Sequence, residues 1–143
     1  MVRRALIDTG FVIALVNARD PDHEDCVAVW RTLRARLFSV EGVLVECAHL
    51  LRRTPGGAAA AVHIVYGSGT QIVPTSEHRA KRALALMEKY SDVPMDLVDA
   101  LLVAVAEEQN VRDVLTLDRR GFGVYRARGR ERFRIWPAPG SQR

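Results

Sequence analysis

The chain has 143 residues, 48% of them hydrophobic, and a formal net charge of +4, which suits one domain with a substantial core and an anionic partner. Its two cysteines form no C-x-x-C pair, which speaks against a disulfide scaffold and favours a reducing compartment. The N-terminus makes a poor signal peptide and no apolar run approaches the ~18 residues of a membrane span, so we expect a cytoplasmic protein with no membrane contact.

Short apolar strands and helical stretches alternate along the chain. We expect strands at residues 4–7, 37–40, 70–74, 111–115 and 133–136. Apolar spacing and capping residues predict helices at residues 10–17, 21–36, 41–53, 58–66, 76–90 and 96–110. Helices between successive buried strands favour an α/β fold, with a short central parallel β-sheet flanked by helices on both faces. No linker divides the chain, so we expect a single domain over residues 1–143.

Two of these strands end in a carboxylate. Asp8 follows the first strand in ALIDTGFVIALV, and Asp118 follows the strand VLTL in VLTLDRRGF. Ligands of open α/β sheets bind at the carboxyl ends of the strands, where these two side chains can be neighbours. Each residue also has an ordinary alternative role, because Asp8 can cap the next helix and Asp118 can form a turn before Gly121.

Further acids lie in or beside apolar helical stretches. Glu46 has apolar neighbours in LVECAHLL, and its ordinary alternative is to face solvent. The last long helix is apolar almost all round and carries its charges at its ends, where Asp96 and Asp99 begin it and Glu107 and Glu108 are expected to be solvated. Asp96 as N-cap with Asp99 in the first turn is the ordinary alternative here, although Asp99 also has core-facing neighbours.

Taken together, Asp8, Glu46, Asp99 and Asp118 form a stronger pattern than each acid alone. Clustered carboxylates raise one another's pKa, and a divalent cation would relieve their repulsion. Oxygen ligands suit Mg²⁺ or Mn²⁺, which can support phosphodiester hydrolysis by activating water. The four histidines lack zinc-site spacing, and the glycine motifs of nucleotide-binding loops are absent from the sequence.

On these residues the chain resembles the PIN-domain ribonucleases, and most of all the small VapC-type toxins of bacterial toxin–antitoxin pairs. Four motifs carry the resemblance in order along the chain: ALIDTGFVIAL, EGVLVECAHLL, PMDLVDALLVAVAEE and LTLDRRGF. The resemblance implies a PIN-like fold and a metal-dependent endoribonuclease whose Mg²⁺ or Mn²⁺ site falls on Asp8, Glu46, Asp99 and Asp118. The family often has a further acid just before the phenylalanine of the last motif, where this chain has Gly121.

The resemblance also implies roles around this site. Thr9 and Thr116 would add hydroxyl hydrogen bonds, and Asp96 would support the site from behind the ligands or as a cap. Residues 112–134 hold eight arginines and three acids, a pattern that fits an RNA phosphate contact or a solvated basic edge. Three of these arginines are expected to hold the RNA backbone: Arg119, Arg120 and Arg126.

A toxin of this type would have a cognate antitoxin as partner, besides its RNA substrate. It would also form a homodimer through apolar helix faces, for instance residues 10–17 and 43–66. Two alternatives stay open: a catalytically inert PIN-like module that binds RNA or protein, and a nuclease of housekeeping RNA processing. The presence of all four acids favours an active enzyme, and the near-minimal length favours a toxin.

Overall fold

The strands of this protein are short and mostly parallel, in a computed structural model that describes residues 2–139. In chain order they are β1 (Arg4–Ile7), β2 (Arg36–Ser39), β3 (Gln71–Ile72), β4 (Asp113–Leu115), β5 (Arg126–Ala127), β6 (Glu131–Arg132) and β7 (Arg134–Trp136). Five of them form a parallel sheet in the order β3-β2-β1-β4-β7, and β5 pairs with β6 as an antiparallel hairpin. The expected single domain over residues 1–143 includes residue 1 and residues 140–143, which lie outside the described residues, and it stays a prediction.

The helices between these strands cover the sheet. They are α1 (Thr9–Val16), α2 (His23–Thr32), α3 (Glu41–Leu50), α4 (Gly57–Gly67), α5 (Glu77–Lys89), α6 (Leu97–Gln109) and α7 (Arg119–Val124). Helix α1 packs against α2, α3 and α4, while α5 packs along α6. The α/β prediction, with its central parallel sheet and flanking helices, is confirmed. None of the helices in residues 2–139 has the length and apolar character needed to cross a membrane.

The middle of the sheet forms the core because its strands are apolar on both sides. Ala5, Leu6 and Ile7 of β1 are fully buried, and so are Val114 and Leu115 of β4. In the β1–β4 pairing Leu6 lies opposite Val114 and Ile7 opposite Leu115. Continuous apolar runs of this kind are typical of parallel strands with both faces covered. The strand ends are thereby fixed relative to one another, together with the residues that follow them.

The prediction that Glu107 and Glu108 are solvated was wrong for Glu107. Its residue is only 9% exposed. Arg82 donates from Nε and Nη2 to its two carboxylate oxygens, both at 2.9 Å, and the backbone N–H of Arg128 donates to Oε2 at 2.6 Å. The neighbouring Glu108 accepts two hydrogen bonds from Arg79 and stays more exposed. The arginines of α5 and of the hairpin, which lie far away in sequence, decide the burial of this helix end.

Candidate functional site

Two of the predicted acids lie at the carboxyl ends of adjacent strands. Asp8 directly follows β1, and its backbone N–H donates to the carbonyl of Leu115 at 2.9 Å. Asp118 follows β4 and is the N-cap of α7, where its Oδ1 accepts from the backbone N–H of Gly121 at 2.9 Å. Asp8 likewise accepts from the N–H of Thr9 and caps α1. Asp8 and Asp118 therefore both cap a helix and lie together at the same edge of the sheet.

The carboxylate of Asp8 is buried and hydrogen-bonded on both oxygens. Its Oδ1 accepts from the backbone N–H of Thr9, and its Oδ2 accepts from Oγ1 of Thr116, each at 2.8 Å. The same Thr116 hydroxyl accepts from the N–H of Asp118 at 3.0 Å, which links the two strand-end acids through one side chain. Burial raises the pKa of Asp8 to about 6, against the lowering effect of these hydrogen bonds, and the charges of Glu46 and Asp118 add to the rise.

Glu46 reaches the same edge from helix α3. Its Oε1 accepts a hydrogen bond from Oγ1 of Thr9 at 2.5 Å, so the side chain is held towards the start of α1 and does not point freely into solvent. Glu46 also raises the pKa of Asp8 by its charge. Thr9 therefore joins two acids, since its N–H contacts Asp8 and its hydroxyl contacts Glu46.

Asp99 and Asp96 form a reciprocal cap at the start of α6. Asp96 Oδ1 accepts from the N–H of Asp99 at 2.8 Å, and Asp99 Oδ2 accepts from the N–H of Asp96 at 3.2 Å. Asp99 is the more enclosed of the two. Burial raises its pKa to about 8, with further contributions from the charges of Asp96, Asp8 and Asp118. Asp8 thus lies within electrostatic reach of the other three predicted acids, although each also has a local structural role.

Sequence reasoning missed Tyr125, which lies beside these acids. Its side chain is fully buried and its hydroxyl donates to the carbonyl of Pro94 at 2.7 Å. Burial, followed by the charges of Asp99 and Asp118, raises the pKa of the phenol. No local signal marked Tyr125, because helix α7, which it caps, is too short to be predicted and a buried tyrosine resembles any other core residue.

The arginines predicted to bind RNA differ in how free they are. Arg119 donates from Nη2 to the carbonyl of Pro137 at 3.4 Å, and its Nε is buried without a hydrogen-bond partner among residues 2–139. Arg126 donates from Nη1 to the last carbonyls of α7 and its C-cap, which belong to Gly123, Val124 and Tyr125. Arg120 is exposed in the first turn of α7, two residues after Asp118. It is therefore the best placed of the three for an external phosphate.

The donor set at this edge suits a hard divalent cation, since it consists of carboxylates. Within residues 2–139, however, no three His, Cys, Asp or Glu side chains converge closely enough to hold an ion as they stand. Hydrogen bonds from protein donors engage both oxygens of Asp8 and one oxygen each of Glu46, Asp99 and Asp118. Chemically the residues fit a divalent cation, and sharing one ion would require the carboxylates to approach one another more closely.

Comparison with known proteins agrees with this fold. A family model described as the PIN domain matches residues 5–127. Ribonuclease VapC26 of Mycobacterium tuberculosis is 28% identical over 134 residues, which cover 92% of this chain and 99% of that protein.

Two solved structures share the fold at lower sequence identity. The first is Mycobacterium tuberculosis VapC20, a toxin that cleaves the sarcin–ricin loop, with a TM-score of 0.74 and 23% identity over 80% of this chain and 90% of that one. The second is a toxin–antitoxin complex from Klebsiella pneumoniae, with a TM-score of 0.62 and 19% identity over 84% of this chain and 91% of that one. Because the family model spans most of the sequence and the observed architecture agrees with it, the chain belongs to the PIN-domain family.

Proposed function

We propose that this protein is an endoribonuclease that hydrolyses RNA phosphodiester bonds as the toxin of a type II toxin–antitoxin pair. The observation that carries the proposal is the grouping of Asp8, Glu46, Asp99 and Asp118 at one sheet edge of a PIN fold, with the pKa values of Asp8 and Asp99 raised. A structural role alone does not require four acids at such a place. The relative named Ribonuclease VapC26 supports RNA as the substrate class.

The cofactor we propose is Mg²⁺, with Mn²⁺ as a substitute. PIN-domain nucleases of the VapC type are generally dependent on a divalent metal. The ligands would be Asp8, Glu46, Asp99 and Asp118. When bound, such an ion offsets charge on a phosphate and makes water a better nucleophile.

The surrounding residues orient these acids and meet the substrate. Thr9 and Thr116 hold Glu46 and Asp8 by their hydroxyl groups. Asp96 fixes the backbone N–H of Asp99 as a cap. Arg120, exposed two residues after Asp118, would contact an RNA phosphate. Arg119 and Arg126 would support the same surface from their contacts with the backbone.

The test is cleavage of a mixed cellular RNA pool by the purified protein with Mg²⁺, with Mn²⁺ and with EDTA. We expect cleavage that needs the metal and is lost in Asp8→Asn, because the buried carboxylate of Asp8 is central to the acid group. The matched control is Glu88→Gln, which changes an exposed carboxylate on α5 to an amide and is expected to cleave like the parent. Absence of both cleavage and metal binding in the parent would favour the inert binding module.

We also propose an antitoxin partner and a homodimer. Val45 and Leu50 of α3 and Val62 and Tyr66 of α4 are large exposed apolar side chains, a pattern typical of protein contact surfaces. Leu50→Glu is expected to reduce the mass measured by light scattering to that of a monomer. Leu84→Glu, at an equally exposed leucine on α5, is expected to leave the dimer intact. A monomeric parent would rule out the homodimer.

A further inference from the structure

Two oxygen atoms of other residues occupy the space where a side chain at position 121 would lie. A Cβ atom built on Gly121 would lie 2.3 Å from Oδ2 of Asp118 and 2.9 Å from the hydroxyl oxygen of Tyr125. Both distances are shorter than real Cβ contacts, so any other residue at this position would displace one of these groups. The glycine is therefore required by its surroundings, and these surroundings include a site carboxylate and a buried phenol.

The Tyr125 side chain has little freedom to move away. Its ring packs edge-to-face against Tyr90 and against Phe122, with ring centroids 5.3 Å apart in both pairs. Its hydroxyl donates to the carbonyl of Pro94, two residues before the N-cap of α6. The hydroxyl of Tyr125 thus binds the segment that leads into α6, and it lies over Gly121 in α7.

These two helix starts carry two of the four site acids. Asp99 lies in the first turn of α6 and Asp118 caps α7. Tyr125 lies near both acids, since its hydroxyl and Oδ2 of Asp118 lie on the same side of Gly121 and the charge of Asp99 acts on its phenol. A phenylalanine would fill the same aromatic cluster without contacting Pro94 or bounding the space that Asp118 occupies.

We propose that Tyr125 is a positioning residue of the acid site. Its hydroxyl sets the separation of Asp99 and Asp118 by holding the start of α6 against the start of α7. Gly121 leaves the space that this hydroxyl occupies. The inference rests on the proposed function, in that it treats these acids as a metal site. Tyr125 acts through its neighbours and is not itself expected to bind the ion.

A neighbouring tyrosine provides a matched control. The hydroxyl of Tyr90 accepts from the backbone N–H of Arg126 at 2.9 Å, so it also makes a single hydrogen bond to the backbone within the same aromatic cluster. Tyr90→Phe and Tyr125→Phe each remove one such bond, and both are expected to lower the melting temperature in EDTA. If Tyr125 had a purely structural role, Tyr125→Phe would lower the melting temperature and change nothing else.

The distinguishing measurement is the affinity for Mn²⁺ alone, by titration calorimetry of the full chain. Tyr125→Phe is expected to weaken Mn²⁺ binding about 10-fold, as is typical when a residue that orients metal ligands is changed. Tyr90→Phe is expected to bind Mn²⁺ like the parent. Equal affinities in Tyr125→Phe and Tyr90→Phe would overturn the inference.

Gly121→Ala provides a second test in which the tyrosine is kept. Its methyl group would press on Asp118 and on the Tyr125 hydroxyl, so we expect weaker Mn²⁺ binding. The loss should be smaller when Gly121→Ala is introduced together with Tyr125→Phe, because removing the hydroxyl opens part of the space. Equal losses with and without Tyr125→Phe would show that the two residues do not share this space.

RNA cleavage separates this inference from the proposed function. A parent that binds Mn²⁺ and shows the expected pattern among the variants, but cleaves no RNA, retains the inference and contradicts the nuclease. A parent that cleaves RNA while Tyr125→Phe matches Tyr90→Phe in Mn²⁺ affinity retains the nuclease and overturns the inference. A parent that binds no Mn²⁺ overturns the inference, and RNA cleavage with Mg²⁺ compared with EDTA then decides the nuclease separately.

Discussion

Asp8 and Asp99 hold protons more tightly in the folded protein than in the unfolded chain. The pKa of Asp8 rises from an ordinary 3.8 to about 6, and that of Asp99 to about 8, in both cases mainly through burial. In the absence of metal, Asp99 is therefore largely protonated at neutral pH, which reduces repulsion within the group. Ionising both acids without a cation works against the fold.

This predicts how the stability of the metal-free protein depends on pH. A carboxyl group with a raised pKa stabilises the folded state fully below its unfolded pKa, and this contribution is lost as pH rises through the folded pKa. We therefore expect the free energy of unfolding in EDTA to fall between pH 4 and 8, by about 3 kcal/mol for Asp8 and by a screened, smaller amount per pKa unit for the less buried Asp99. Urea unfolding across this range measures it.

The matched variants for this prediction are Asp99→Asn and Asp96→Asn. Asp99→Asn keeps an acceptor for the N–H of Asp96 but removes the enclosed charge, so it should unfold at higher urea near pH 8 and lose the stabilisation by Mg²⁺. Asp96→Asn keeps an equivalent cap at an exposed position and should retain the metal response. Stability that does not change with pH in EDTA, in the parent, would contradict the raised pKa values.

Glu107 joins three parts of the structure. It accepts from Arg82 of α5 and from the backbone N–H of Arg128 in the β5–β6 turn, while it belongs to α6 itself. These hydrogen bonds and the positive charge of Arg82 lower its pKa against the effect of burial. The hairpin is thus attached to the helix whose other end carries Asp99.

Removing this carboxylate should destabilise the protein far more than removing its neighbour. Glu107→Ala leaves Arg82 and the Arg128 N–H without their acceptor, and we expect a loss of about 2–3 kcal/mol. Glu108→Ala breaks a more exposed pair with Arg79 and should cost less than about 1 kcal/mol. Urea unfolding of both variants at pH 7 checks this, and equal losses would show that the Glu107 contacts are no more stabilising than a surface pair.

The sequence predicted most elements because their signals are local. Apolar spacing located β1 and the long α6. The helix predicted from residue 76 is capped by Ser76, which accepts from the N–H of Arg79 at 3.1 Å. Helix α7 and the β5–β6 hairpin were not predicted, since six-residue and two-residue elements carry too short a pattern. Their positions depend on tertiary contacts, among them the bond from Arg128 to Glu107.

Local sequence signals and tertiary contacts also differ in what they reveal of the candidate site. Asp8 and Asp118 were identifiable because a parallel sheet brings strand ends together whatever the loops do. Tyr125 was not, because its relation to Asp118 depends on a turn of α7 and on Pro94, which lies 31 positions earlier. An acid within an apolar stretch of sequence is unusual and can be recognised, whereas a buried tyrosine resembles any other core residue.

The arginine-rich stretch shows why composition alone does not locate a nucleic-acid surface. Arg112 is paired with Glu131, and Arg134 with Asp113. Arg128 donates from its guanidinium to the carbonyl of Glu107. Several of the eight arginines in residues 112–134 are therefore engaged within the protein, and their number overstates the positive charge that is free to meet a phosphate.

Arg120 is consequently the residue whose charge we expect to matter for RNA. In an Asp8→Asn background that does not cleave, Arg120→Ala should weaken binding of a single-stranded RNA and reduce the slope of log affinity against log salt by about 0.7, the release expected for one phosphate contact. Arg34→Ala is the matched control, because Arg34 is also exposed but precedes β2, at the opposite edge of the sheet from Asp118. If both variants change the slope equally, RNA is attracted by overall charge and α7 does not direct it to the acids.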